Sequence, residues 1–254
     1  MNVLLPDQLE VVVATVAQRL DSLQIDYAIM GGAAICLIAP DPQRATEDVD
    51  LVIRVDHRSI TADMLTNKLL TSFPSDFGPV NLFGHILPAY KLHSGGGAVT
   101  LVHLEVFDQA NWPNRPQYDL QKATRLTKTV KGYPVKLFGS EWLLREKILS
   151  QYQRQGFKQS IDLQDVGNIL KYCVAGKTEL NFDHDQELRA ALTTILERRP
   201  RLRTNLSRVI KCQEIFDCFV MPSALYQVTA SQICHIPGCE AFKIALLDLC
   251  SFNC

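Results

Sequence analysis

The sequence has no strong excess of charge of either sign. Its 26 Lys and Arg residues nearly balance its 27 Asp and Glu residues, which leaves a formal net charge of −1. This balance argues against a protein whose whole surface is adapted to nucleic acid, although it leaves local basic patches open. With 47% hydrophobic and 21% charged residues, the chain has the composition of a globular protein.

Long apolar runs are also absent. The nearest candidate is the uncharged run Cys218–Cys239, which Ser, Thr, Gln and two prolines dilute, so we predict no membrane-spanning helix. The first residues carry no basic segment, and Asp7 and Glu10 interrupt them early, so a signal peptide is not expected. Eight cysteines without such a signal favour reduced thiols and a cytoplasmic protein.

The stretch 27–53 carries the clearest chemical pattern. A hydrophobic strand leads into Gly31-Gly32 and a short apolar helix, and an Arg-bearing loop then leads into an acidic strand. Because alternate strand residues share a face, Asp48 and Asp50 project together. Two adjacent carboxylates repel each other and are costly to desolvate, and a divalent cation removes both penalties. We therefore predict a Mg²⁺ site here, against the alternative of an exposed acidic strand edge.

The two glycines supply a second element of a phosphate-binding site. Without Cβ atoms, Gly31 and Gly32 allow a sharp turn and a close approach of a ligand to the backbone. The helix that follows presents unpaired N–H groups and a partial positive charge, which favour a phosphate group. A phosphate loop beside a metal-binding strand is the minimum that phosphoryl or nucleotidyl transfer requires.

The order hydrophobic-Gly-Gly, then Arg44-x-Thr46-x-Asp48-Val49-Asp50, resembles the signature of the polymerase-β-like nucleotidyltransferase superfamily. The branch it most resembles contains small stand-alone enzymes, among them the AbiEii-like abortive-infection toxins. The third carboxylate of that family matches Glu105, in the segment LVHLEVF. The resemblance covers roughly residues 10–172 and is moderately specific, since Gly-Gly with Asp-x-Asp is a degenerate pattern.

The resemblance implies transfer of a nucleoside monophosphate from an NTP such as ATP, with release of pyrophosphate, assisted by two Mg²⁺ or Mn²⁺ ions. It implies the following site: catalytic and metal-binding Asp48, Asp50 and Glu105, and nucleotide-binding Gly31, Gly32, Arg44, Thr46 and Lys147. Physical chemistry alone leaves other interpretations open. Thr46 also fits an ordinary strand residue, Glu105 a partly exposed strand carboxylate, and Lys147 a solvated helix charge.

Two departures from the family pattern keep an alternative function open. Many members carry Ser after the glycines, where its hydroxyl helps to hold the terminal phosphates, and this chain has Ala33. The third acid is Glu105, one methylene longer than the commoner Asp. The alternative is a catalytically silent nucleotide-binding or scaffold protein with the same fold. For an active enzyme, the acceptor hydroxyl is undetermined and belongs to RNA, a protein or a small molecule.

The predicted fold class is α/β: a small twisted mixed sheet with packed helices, followed by a helical C-terminal unit that forms the other wall of the cleft. We expect strands near 27–30 and 47–55, hairpins at 86–107 and 126–138, and a loop around Pro74, Gly78 and Pro79. The predicted domains are a catalytic core at 1–116, a mostly helical unit at 117–205, and a Cys-rich tail at 206–254.

The last third of the chain carries two further patterns. The basic cluster Arg198–Lys211 offers RNA-backbone contacts that would be sensitive to salt, but no aromatic residues interleave with it for base stacking, and a solvated face is the alternative. Cys234, His235 and Cys239 have marginal spacing for zinc, without a pair of C-x-x-C hooks, so a zinc site is not favoured.

Overall fold

The structure is a computed structural model that describes residues 3–82, 84–93, 97–112 and 116–218. The helices are α1 (Pro6–Ser22), α2 (Gly31–Ile38), α3 (Ala62–Ser72), α4 (Ser140–Gln153), α5 (Gly156–Ile169), α6 (Gln186–Arg198), α7 (Arg203–Val209) and α8 (Gln213–Cys218). The strands are β1 (Tyr27–Met30), β2 (Asp48–Ile53), β3 (Phe77–Leu82), β4 (His85–His93), β5 (Val99–Asp108), β6 (Arg125–Val130) and β7 (Tyr133–Phe138). The predicted α/β class is confirmed.

All seven strands form one mixed sheet in the order β3-β4-β5-β2-β1-β7-β6. The central pairs β2–β5 and β1–β7 are parallel, whereas β1 runs antiparallel to β2. Both predicted hairpins form, β4 with β5 and β6 with β7. The centre of this sheet therefore lies at β2 and β1, the strands on either side of the Gly-Gly turn.

Strand periodicity separates a core face from a polar face of the sheet. Val49 pairs with Leu104, and both are fully buried. Helices α1 and α3 pack on the sheet, α1 mainly against β7 and α3 against β3, β4 and β5. Because side chains alternate along a strand, burying the apolar set of β2 turns Asp48 and Asp50 to the other face.

The predicted loop around Pro74, Gly78 and Pro79 is wrong in part, because Phe77–Leu82 forms β3. Pro79 pairs in register with Pro88 of β4. Proline cannot donate a backbone hydrogen bond, but β3 is an edge strand and its outer side has no partner to receive one. The burial of Phe77 (2% exposed) anchors the strand at its first residue.

Three helix boundaries differ from those that capping and breaker residues predict, namely caps at Asp7 and Ser140 and a helix end at Gly156. Asp7 lies in the first turn of α1, which begins at Pro6 after Leu5. The residue before α4 is Gly139, so Ser140 is the first helical residue rather than the cap. Gly156 is the first residue of α5, in the left-handed region at φ +67°. Such shifts arise because tertiary packing, and not only capping propensity, sets where a helix begins.

The chain divides into two compact units, residues 1–213 and 214–254. Within the first unit, β6 and β7 join the same sheet as β1. The predicted domain boundary near residue 116 falls between strands of this one sheet, and it remains a prediction. Of the Cys-rich tail predicted at 206–254, the structure describes residues 206–218. Across the described segments, no helix combines the length and apolarity that a bilayer span requires.

Candidate active site

Three carboxylates meet on the polar face of the sheet. Strands β2 and β5 pair in parallel, with Asp48 opposite His103 and Asp50 opposite Glu105. One oxygen from each of Asp48, Asp50 and Glu105 lies within 4.8 Å of the other two, and all three side chains are partly buried. The structure thus brings together the three acids that the sequence singled out, from segments about fifty residues apart.

The electrostatics of this cluster are unfavourable without a cation. Burial, followed by the charges of Asp48 and Glu105, raises the pKa of Asp50 from 3.8 to about 7. Burial and the Asp48 charge also raise the pKa of Glu105. No Lys or Arg within the described part of the chain forms an ion pair with any of the three. Three oxygen donors with unbalanced charge are the set that Mg²⁺ or Mn²⁺ prefers.

The Gly-Gly turn brings the start of α2 directly against these acids. Gly31 has φ +63°, and a Cβ at this position would overlap the Asp50 carboxylate. A Cβ on Gly32 would lie 2.7 Å from Thr46 Oγ1 and 2.8 Å from the Arg44 guanidinium. Both positions therefore require glycine, the first for its backbone angle and its space and the second for space alone.

Thr46 orients one of the acids. Its side chain is buried (6% exposed), and its hydroxyl donates to Asp48 Oδ1 at 3.0 Å. Because Asp48 is the first residue of β2 and Thr46 lies two residues before it, this bond fixes the carboxylate at the point where the strand begins. The contact assigns Thr46 a positioning function in this structure, in addition to its predicted place beside the nucleotide.

Arg44 and Lys147 lie in a buried ionic network. The Arg44 guanidinium donates to both oxygens of Asp165, at 2.7 Å and 3.1 Å. Lys147 Nζ lies 2.7 Å from an oxygen of Asp162 and 2.7 Å from an oxygen of Asp165. Lys147 is only 7% exposed, so it is not a solvated helix charge. Arg154 completes the network through Asp162, at 3.1 Å.

Several solved structures resemble this chain. No family model and no curated protein matches the chain. A crystal structure of an antigenic nucleotidyltransferase-like protein from Paracoccidioides brasiliensis aligns with a TM-score of 0.82 at 58% identity, over 85% of this chain and 100% of that one. The chain belongs to this nucleotidyltransferase-like family. The predicted superfamily is thereby confirmed.

Two other solved structures resemble the present chain at lower sequence identity and TM-score. ANT(2'')-Ia, solved in complex with adenylyl-2''-tobramycin, has a TM-score of 0.41 and 13% identity over 75% of this chain and 98% of its own. The lincosamide antibiotic adenylyltransferase LnuA, lincomycin-bound, has a TM-score of 0.41 and 11% identity over 66% of this chain and 99% of its own.

The sequence did not identify the acidic partners of Arg44 and Lys147. The spacing of Asp162 and Asp165 placed them on one face of α5, and the structure turns that face onto α4 and the loop before β2. A buried i, i+3 pair of acids is itself a signal that cations lie opposite, since buried charges are almost always paired. The sequence alone does not indicate which cations these are.

Asp108 has a structural function. It is fully buried, and its carboxylate accepts from the backbone N–H of Ala62 at 2.8 Å and of Asn111 at 2.6 Å. It therefore caps the start of α3 and fixes the turn after β5. Its parity on β5 is opposite to that of Glu105, which explains why it does not join the acidic cluster.

Two sequence patterns remain, the basic cluster Arg198–Lys211 and the candidate zinc ligands. Arg198, Arg199, Arg201 and Arg208 of the basic cluster are exposed. Arg198 donates to Gln159 of α5 at 2.6 Å. The candidate zinc ligands Cys234, His235 and Cys239 lie outside the described residues. Of the cysteines within them, Cys36 and Cys173 are free thiols and Cys212 is buried.

Proposed function

We propose that this protein is a Mg²⁺- or Mn²⁺-dependent nucleotidyltransferase that transfers a nucleoside monophosphate from an NTP to a hydroxyl acceptor. The observation that carries this proposal is the convergence of Asp48, Asp50 and Glu105 on two adjacent parallel strands, beside a turn that only glycine fits. Membership of the nucleotidyltransferase-like family supports the same reaction class.

The three carboxylates fit a divalent cation. Their oxygens are close enough to share one ion or bridge two, and the raised pKa of Asp50 reflects repulsion that such an ion would relieve. When bound, the cation neutralises charge that develops on the α-phosphate and on the leaving pyrophosphate. Asp48, held by Thr46, and Asp50 serve as ligands in this proposal, and Glu105 completes the ligand set.

The other residues of the site act on the substrate itself. The backbone N–H groups at Gly31 and Gly32 face the β- and γ-phosphates at the start of α2. Arg44 places positive charge beside the same turn, and Asp165 joins Lys147 to it. Burial and the Asp48 charge raise the pKa of Glu105, which suits it to accept the proton of the attacking hydroxyl.

The alternative, a silent nucleotide-binding protein, rests on one structural observation. Ala33 is fully buried and contributes no hydroxyl at the position where many family members use Ser on the terminal phosphates. In the active enzyme that we propose, backbone N–H groups and Lys147 supply the phosphate contacts without it. The two possibilities differ in transfer, not in nucleotide binding.

The test is label transfer from α-labelled NTPs with Mg²⁺ or Mn²⁺, with total RNA, protein lysate and small aminoglycosides offered as acceptors. Wild type should transfer label, and the double variant Asp48→Asn/Asp50→Asn should not. Glu47→Gln is the matched control, because Glu47 is the exposed acid directly before Asp48 and should retain full transfer. Metal-dependent NTP binding without transfer to any acceptor would favour the silent alternative. Absence of both would refute the proposal.

A further inference from the structure

The most exposed large apolar side chain of the described residues lies at the start of α5. Phe157, the second residue of α5, is 81% exposed. Its ring is therefore available to a partner with an apolar or aromatic face. The residues on both sides of it in the chain are polar or glycine, so no apolar patch on this turn covers the ring.

Three basic residues belong to the segment around Phe157 or contact it. Arg154 precedes it with half of its side chain exposed, and Lys158 follows it and is exposed. Arg198, at the end of α6, reaches the same turn through its bond to Gln159 at 2.6 Å. Arg154, Phe157, Lys158 and Arg198 are called the Phe157 patch below. In a chain with net charge −1, this is a local concentration of positive charge around an exposed ring.

The Phe157 patch is continuous with the candidate active site. Arg154 contacts Asp162 at 3.1 Å, and Asp162 contacts Lys147, which belongs to the network beside the Gly-Gly turn. A chain of ion pairs thus joins the patch to the residues around the Gly-Gly turn.

We propose that the Phe157 patch binds a single-stranded RNA acceptor and brings its terminal hydroxyl to the candidate active site. This inference rests on the proposed nucleotidyl transfer. In the reaction, the RNA hydroxyl oxygen bonds to the α-phosphorus of the NTP, and the bond from that phosphorus to the bridging oxygen breaks. Pyrophosphate leaves with the electron pair, and the hydroxyl proton passes to solvent water.

The chemistry of the patch favours RNA over the other acceptor classes. Basic side chains attract a phosphate backbone, and an exposed ring stacks on an unpaired base. The sequence contains a basic cluster without interleaved aromatics, and the fold brings Arg198 of that cluster to α5, the helix that carries Phe157. A small-molecule acceptor needs no extended basic surface, and a duplex offers no unpaired base to the ring.

The first measurement is fluorescence anisotropy of a fluorescein-labelled single-stranded oligouridylate, with EDTA and without NTP. Wild type should bind, with a slope of log K against log salt of about −2 for three phosphate contacts. Phe157→Ala should weaken binding about 5-fold or more. Lys158→Ala should make the slope shallower by about 0.7. All substituted side chains are exposed, so the melting temperature should not change, and it is measured for each variant.

Matched controls lie at the other end of α5. Tyr172 is an exposed aromatic and Lys171 an exposed cation, about 20 Å away along the helix at 1.5 Å per residue. Tyr172→Ala and Lys171→Ala should leave RNA binding unchanged. Absence of oligouridylate binding at low salt, or an equal loss in the controls, would overturn the inference. So would a loss of NTP affinity in Phe157→Ala with RNA affinity intact, because the patch would then serve the nucleotide.

Transfer assays separate this inference from the proposed function. Label transfer to RNA that Phe157→Ala impairs through the RNA KM, with the NTP KM unchanged, supports both. Transfer to a protein or an antibiotic, with no RNA binding, leaves the proposed function standing and overturns the RNA inference. RNA binding through the patch with no transfer to any acceptor refutes the enzyme while supporting the RNA surface.

Discussion

Asp50→Asn is expected to stabilise the metal-free protein at neutral and alkaline pH. The substitution keeps the size of the side chain and removes its charge, and it therefore relieves the repulsion from Asp48 and Glu105. Raising a carboxyl pKa from 3.8 to about 7 corresponds to a cost of about 4 kcal/mol when the group ionises in the folded state. This figure is an upper bound, because Asp50 is only partly buried and solvent screens part of the charge.

The pH dependence follows from the direction of the shift. Because the folded-state pKa of Asp50 lies above its ordinary value, the folded protein holds this proton more tightly than the unfolded chain. The contribution to stability is complete below about pH 4 and is lost as the pH rises to about 7. Wild type in EDTA should therefore lose stability over this interval, and Asp50→Asn should lose much less.

The assay is urea unfolding in EDTA between pH 4 and pH 8. The control is Asp56→Asn, because a hydrogen bond from Arg58 lowers the pKa of Asp56. Its carboxylate stabilises the fold above its ordinary pKa of 3.8, and that contribution is lost only as the pH falls below this value. Between pH 4 and pH 8, Asp56→Asn should therefore lower stability by a nearly constant amount, whereas Asp50→Asn should change the slope of the pH profile.

Adding Mg²⁺ at pH 8 tests the same cluster by neutralising its charge with an ion instead of removing a charge by substitution. An ion that binds only the folded acids stabilises wild type by about 2.7 kcal/mol at 100 times its dissociation constant. Asp50→Asn should gain little. If Asp50→Asn is less stable than wild type at pH 8 in EDTA, or if both respond equally to Mg²⁺, then charge repulsion does not control the stability of the cluster and the reasoning fails.

Three further predictions concern the neighbouring residues. Gly31→Ala should cost about 1–3 kcal/mol in urea unfolding and abolish transfer, because the new Cβ meets the acid cluster at φ +63°; Gly167→Ala, inside α5 with open space around it, should be neutral or stabilising. Lys147→Met should cost about 3 kcal/mol or more by stranding buried carboxylates, whereas Lys131→Met at an exposed pair should cost less than about 1 kcal/mol. Thr46→Val should lower Mg²⁺ affinity roughly 10-fold in calorimetry, since it removes the hydrogen bond that orients a ligand.

Much of the fold was predictable because its strands carry local signals. The alternation in β2 and the glycine-rich turn between β4 and β5 depend on neighbouring residues, which a sequence displays directly. Strand β3 was not predicted, since Pro79 and Gly78 are turn residues by propensity. Only its position at the edge of the sheet makes them tolerable there. Edge position is a property of the assembled sheet and leaves no local signal.

The residues of the candidate site also differ in how far the sequence predicted their positions. Asp48 and Asp50 share a face by strand period, so their proximity was predictable, and Glu105 required only that its strand lie next to theirs. The contact between Arg44 and Asp165 joins residues 121 positions apart. Polar residues in helices are usually solvated, so Lys147 and Asp165 gave no indication of burial until α4, α5 and the loop before β2 came together.

The acidic cluster and the basic network together give the site a negative region and a positive region. The negative region is the three carboxylates on β2 and β5. In the positive region, Arg44 and Lys147 pair with two acids of α5, and Arg154 of the Phe157 patch pairs with one of these acids as well, so one positive charge remains in excess. A metal–triphosphate complex has the matching arrangement, with its cation toward the carboxylates and its phosphate oxygens toward the basic side. Because ion pairs hold these cations before any ligand arrives, less side-chain entropy is lost on binding. Asp162 and Asp165 therefore favour nucleotide affinity by positioning cations, although they are themselves of the wrong sign to meet a phosphate.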